Sequence, residues 1–241
     1  MRILRMLFLT ILLLPSMVLA CPVCDSTEGD LVREGIFGGG FFLKFLVLIL
    51  PFVLVLTLVV PVIKESTFDK NGSVPRSFLR AGMVLGTGVG AFLNGIFLRQ
   101  IFQTDNVFSG ILSSDSLVNA QVNLFWDGIT QLVSAVVAVS GIYLLLQASR
   151  GTSLRRPPGI FLGVMIFGWG AYSLLEGLVI HQVFGFHHVN ERLAGTPQLF
   201  YDGLYLVFAL GLMLLGRSVL NRTDQNSRDV AESGAIYPEL G

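Results

Sequence analysis

Five stretches of the chain are apolar for about the 20 residues that a bilayer-crossing helix needs. They cover residues 41–63, 80–102, 123–147, 159–184 and 199–217. An earlier apolar run, "MLFLTILLLPSMVLA", follows Arg2 and Arg5 and ends at Ala20, which gives it the layout of an export signal over residues 1–20. The pattern predicts an all-α polytopic membrane protein with five transmembrane helices after a signal peptide. Pro51 lies inside the first span and is expected to kink it. Glycine is frequent in the second and fourth spans, where small residues let helix backbones approach.

The polar connections orient these spans. Lys64, Lys70, Arg76, Arg80, Arg150, Arg155, Arg156, Arg217, Arg222 and Arg228 fall on one side, against Arg33, Lys44, Arg99 and Arg192 on the other. Cytoplasmic loops are the cation-rich ones, so the mature N-terminus is expected outside and the C-terminus inside an inner cell membrane. The divisions that follow are an external segment at 21–40, the first span at 41–63, a cytoplasmic loop at 64–79, a membrane domain at 80–217 and a cytoplasmic tail at 218–241. The tail from about Asn221 is polar and reads as disordered.

Composition agrees with a membrane protein: 53% of residues are hydrophobic and only 13% charged. A formal net charge of zero supplies no basic footprint for nucleic acid. The bilayer is the first expected partner, with a membrane complex or a homo-oligomer beyond it.

The membrane domain repeats itself. "GTGVGAFLNGIFLRQIF" at 86–102 and "GWGAYSLLEGLVIHQVF" at 168–184 agree at six of 17 positions, at an offset of 82. "LFWDG" at 124–128 and "LFYDG" at 199–203 agree at four of five. Both hairpins start in the cytoplasm, so a duplicated two-helix unit should form a four-helix core about a pseudo-twofold axis along the membrane normal, with the first span outside it.

The repeat also aligns polar residues. Asn94 matches Glu176, Arg99 matches His181, Asp105 and Asn106 match His187 and His188, and Asp127 matches Asp202. All three histidines of the chain lie in "EGLVIHQVFGFHH". Imidazole and carboxylate donors together suit a borderline divalent metal such as zinc, copper, iron or nickel. Glu176, His181, His188 and Asp202 are the expected ligands, with His187 as a substitute ligand or an orienting neighbour. A proton relay, a haem and a purely structural polar cluster are the ranked alternatives, with haem the least favoured. Asn94, Arg99, Asp105, Asn106 and Asp127 then form a degenerate first-half pseudo-site, in which Arg99 pairs with Asp127 or Asp105 in place of a metal. Trp126 and Tyr201 read as interfacial anchors, Asn123 as a helix start near water, and Lys44 as a snorkelling side chain.

The "EGLVIHQVFGFHHV" block and the two hairpins resemble the predicted membrane proteins of domain-of-unknown-function family 2243, over roughly residues 80–217. The resemblance implies a shared fold and site without an established activity. It also implies an acid-Gly pair, an "HQ" and an "HH" in the first half, from which Asn94, Arg99, Asp105 and Asn106 depart.

Cys21 and Cys24 form "CPVC", outside that resemblance. Such a pair can exchange disulfides, bind a soft metal or close a structural disulfide. Lipidation of Cys21 and an uncleaved first helix remain open. No nucleophilic triad or nucleotide motif is visible. Three functions are carried forward: a metal-binding membrane protein, accessory to a respiratory or metal-handling complex; a membrane thiol redox protein using CPVC; and a structural cluster or transporter.

Overall fold

In the computed structural model, the described residues are 27–38, 40–62, 75–150 and 158–232. The expected signal segment, Cys21, Cys24 and most of the loops expected in the cytoplasm lie outside them. Every described element is helical. They are α1 (Thr27–Phe37), α2 (Phe41–Leu54), α3 (Arg76–Asn94), α4 (Leu117–Ala148), α5 (Pro158–Glu176) and α6 (Thr196–Glu232). Three run on past these bounds: α2 through a π-helical Val55–Val59 and a last turn Val60–Val62, α3 through a π-helical Gly95–Ile101, and α5 through a π-helical Gly177–Phe184. Five helices are long and apolar enough to cross a membrane: Phe41–Val59, Arg76–Ile101, Leu117–Ala148, Gly159–Phe184 and Thr196–Thr223.

Local chemistry sets several boundaries. Pro75 precedes α3 and Pro158 opens α5, positions where a missing N–H costs nothing. The Ser116 hydroxyl accepts from Asn119 N at 3.1 Å and caps α4. Gly185, at φ 58°, ends the π-helical segment after α5 in the left-handed conformation. The π segment Val55–Val59 follows Pro51, whose ring removes a backbone donor from α2. Helix α6 runs beyond the apolar span to Glu232, where the sequence suggested a disordered tail from Asn221. Residues 217–232 contain neither Gly nor Pro, and extending an anchored helix avoids a new nucleation step.

The repeat is visible in the backbone. Adding 82 to the bounds of α3 gives those of α5, and Gly95, which opens one π segment, maps onto Gly177, which opens the other. The core is built around the α3–α5 contact, with α4 packed on α3 and α6 packed on α5. Two glycines set that crossing. A Cβ on Gly168 would lie 2.6 Å from the Met83 carbonyl oxygen, and a Cβ on its mate Gly86 would collide with the carbonyl of Met165, the mate of Met83. This reciprocal contact is the signature of a local twofold axis between α3 and α5. Helix α2 packs outside the four, with Phe45 against Trp126 of α4 and Phe52 against Tyr172 of α5. Trp126 is therefore a buried core residue rather than an interfacial anchor. Asn123 is likewise fully buried, donating to Leu112 O and accepting from Phe108 N, because α4 begins six residues before it. Lys44 lies over the Phe41 ring, with Nζ 4.5 Å from its centroid.

Candidate functional site

The polar residues gather at one end of the bundle, where α3 and α5 give way to their π segments. Two loops close over this end. Gly110 N donates to Phe186 O at 2.9 Å, and Glu191 N donates to Thr104 O at 2.9 Å, so the loop of each half is tied to the other.

Each hairpin uses its aspartate in the same way. Asp127 accepts from Val107 N at 2.8 Å and from the Asn106 amide at 2.8 Å. Asp202 accepts from Val189 N at 3.0 Å and contacts His188 Nδ1 at 2.6 Å. Val189 and His188 are the repeat mates of Val107 and Asn106. The charged partner also follows the repeat: Arg99 Nε lies 3.7 Å from Asp127, and His181 Nδ1 lies 3.5 Å from Asp202. Two further mate pairs meet at the axis itself, Asn94 with Glu176 at 3.5 Å and Asp105 with His187 at 3.1 Å.

The halves are thus joined into one cluster. Arg99 reaches Asp105 at 3.5 Å and Asp127 at 3.7 Å, and crosses the axis to Glu176 at 3.6 Å. Its guanidinium also donates towards His187 Nε2 at 3.4 Å. Because a guanidinium only donates, that contact assigns the imidazole proton of His187 to Nδ1, on the Asp105 side. The rings of His181 and His187 meet edge to face, 4.6 Å apart, and His181 stacks on Tyr205 at 5.3 Å.

Glu176 is held on the Tyr205 side of the cluster. It accepts from the Tyr205 hydroxyl at 2.6 Å, and the Asn94 amide donates to Tyr205 Oη at 2.7 Å and to Ser173 Oγ at 3.0 Å. Trp169 Nε1 donates to Asn94 Oδ1 at 2.9 Å. Tyr205, Ser173 and Trp169 are members of the network that sequence reasoning missed. Tyr205 had a signal, since it lies three residues after Asp202 and so on the same face of α6.

The cluster is almost dry. Asp105, Asp127, Glu176, His181, His187 and Asp202 are all buried, and the Arg99 side chain is 8% exposed. Arg99 Nε, both Asp105 oxygens, His181 Nδ1 and His187 Nδ1 are buried without an aligned hydrogen bond, although charged or polar neighbours surround them. Burial holds the Asp105 carboxyl above the usual carboxylate range, with Arg99 opposing the shift. Burial, reinforced by His181 and Arg99, holds the His187 imidazole below its ordinary value. A polar hollow of about 430 Å³, lined by Asp105, Ser113, Asp115, Glu191 and Arg192 among others, opens above this cluster.

Among the described residues, no three His, Cys, Asp or Glu side chains stand in position to hold a metal ion as they are. His181 and His188 flank the two oxygens of Asp202, and His187 faces Asp105. Cys21 and Cys24 lie outside the described residues.

No curated protein and no solved structure matches the chain. A family model described as predicted membrane protein (DUF2243) matches residues 81–223, which span both hairpins and every member of the cluster. That match covers more than half of the chain, and the protein belongs to this family of membrane proteins.

Proposed function

We propose that the protein is a metal-binding protein of the inner cell membrane, with its mature N-terminus and the His/carboxylate cluster on the external face and its C-terminus in the cytoplasm. Arg76, Arg80, Arg150, Arg217 and Arg222 lie towards the bundle end away from the cluster, which supports this sidedness. One observation carries the metal reading. The rings of His181 and His187 meet, His181 and His188 flank Asp202, and His187 faces Asp105, whose two buried oxygens lack hydrogen bonds and which borders an open polar hollow.

Charge supports the same reading. Asp105, Asp127 and Glu176 share one permanent cation, Arg99, and Asp202 faces imidazoles instead. Uncompensated carboxylates are costly at this depth, so further positive charge is required. A divalent zinc, copper, iron or nickel ion supplies it and suits imidazole with carboxylate donors. His181, His188, Asp105 and Asp202 are the donors assigned to it; His187 joins them only by giving up the Nδ1 proton that faces Asp105, and the side chains must move to converge. Glu176, satisfied by Tyr205 and facing Arg99, neutralises the guanidinium instead of binding metal. In this reading the protein would serve as an accessory to a respiratory or metal-handling complex.

Elemental mass spectrometry of detergent-purified protein tests the proposal. Near-stoichiometric metal is expected, and it should be lost in the His181→Ala/His188→Ala variant with the helical circular dichroism retained. Absence of metal, even after titration with the four ions, would sink it. The second reading is a proton relay, in which Asp105 with His187 and Glu176 with Tyr205 would exchange protons on either side of Arg99, a fixed cation that does not pass them on. A metal-free protein whose proton uptake in a pH titration is reduced by Glu176→Gln substitution would support that reading.

A further inference from the structure

The pseudo-twofold axis relates two grooves on opposite sides of the bundle. One lies between α4 and α5, and the other between α6 and α3. Helix α2 fills the first. Its Phe45 and Leu48 join an apolar cluster with Trp126, Ile129, Val133 and Ile180, and Trp126 and Ile180 are left only 5% and 1% exposed.

The second groove has no such cover among the described residues. It is lined by Phe97, Leu98, Trp169, Tyr201, Leu204 and Phe208. The repeat maps Tyr201, Leu204, Phe208 and Leu98 onto Trp126, Ile129, Val133 and Ile180, the residues that α2 covers in the other half. Here Tyr201, Leu204 and Phe208 are 40%, 47% and 44% exposed. A cavity of about 430 Å³ indents the surface between them.

We infer that this groove is a docking site for a transmembrane helix of another protein, one presenting aromatic and leucine side chains at the spacing of Phe45, Leu48 and Phe52 in α2. Three observations select that occupant. The mate groove is built for a helix of this kind. The polar groups at the floor, Asn94 and Tyr205, are already satisfied by Trp169, Ser173 and Glu176, so they do not call for a ligand with a polar head. A second copy offering its own α2 would present it from the opposite side of the bundle, giving an open head-to-tail row instead of a closed assembly. Packing between helices in a bilayer depends on fitting surfaces, and this surface is shaped and apolar.

The test uses full-length protein, one copy per lipid nanodisc, carrying photoreactive benzoylphenylalanine in place of Leu204. The probe is a synthetic peptide of residues 41–63. A saturable adduct is expected, reduced about tenfold when the peptide carries Phe45→Ala and Phe52→Ala. The same photoreactive group at Leu132, exposed on α4, should give little adduct. The inference fails if Leu204 yields adducts only with lipid or with residues 1–20. It also fails if copies of the protein cross-link to one another when discs hold two, or if both peptides and both positions react equally.

Discussion

The two hairpins share a backbone and differ in what they do with it. Each ends its first helix in a π segment that opens on glycine, and each anchors the following loop through an aspartate on its second helix. Where the first hairpin sets Arg99 against Asp127, the second sets His181 against Asp202. Where the first uses the neutral Asn106 amide, the second uses His188. The first half therefore carries its positive charge permanently and covalently. The second offers imidazoles, whose positive charge has to be acquired as a proton or a metal. A duplicated scaffold has kept the geometry of a site while exchanging its source of charge.

Removing the permanent charge should break the comparison most severely. Arg99→Leu leaves Asp105, Asp127 and Glu176 facing one another without a cation, and a loss of about 3–5 kcal/mol is expected. Thermal unfolding in detergent reads it, and an unchanged midpoint would show that Arg99 does not hold the halves together. Symmetry at the crossing predicts that Gly86→Leu and Gly168→Leu are comparably harmful, each costing on the order of 3 kcal/mol. A large inequality between the two midpoints would mean that the axis is not a real constraint on packing.

Smaller effects sharpen the chemical difference. His181→Ala/His188→Ala should weaken metal binding at least about tenfold in a competition assay with a chromophoric chelator. The converse variant, Arg99→His/Asn106→His, gives the first half the second half's imidazoles, and metal per chain should rise from about one towards two. A stoichiometry that stays at one would show that the first-half site is closed for reasons beyond these two side chains. Least of all, Ser116→Ala should remove the cap of α4 at a cost of about 1 kcal/mol, without touching metal content.

Much of this was legible from residue order. The five spans follow from apolar run length, and the offset of 82 locates the mate of each polar residue. The contacts across the axis were not legible. A pairwise alignment says that Asn94 corresponds to Glu176, but only packing of α3 on α5 brings these equivalent positions within 3.5 Å of each other. Arg99 could be paired with its own half's aspartates from sequence, whereas its reach to Glu176 depends on the close crossing at Gly86 and Gly168. Trp126 looked like an interfacial anchor because burial by α2 is a tertiary event with no local signal. Helical spacing cannot place His187 relative to Glu176, since Gly185 ends the helix and the His187–His188 pair lies on a loop that folds back.

The π segments carry one more consequence. An i→i+5 turn accommodates one residue more than an α turn and is tolerated chiefly where function uses it. Both hairpins contain it at the same place. One insertion before the hairpin was copied accounts for both segments with a single event, where separate insertions would need two at equivalent positions.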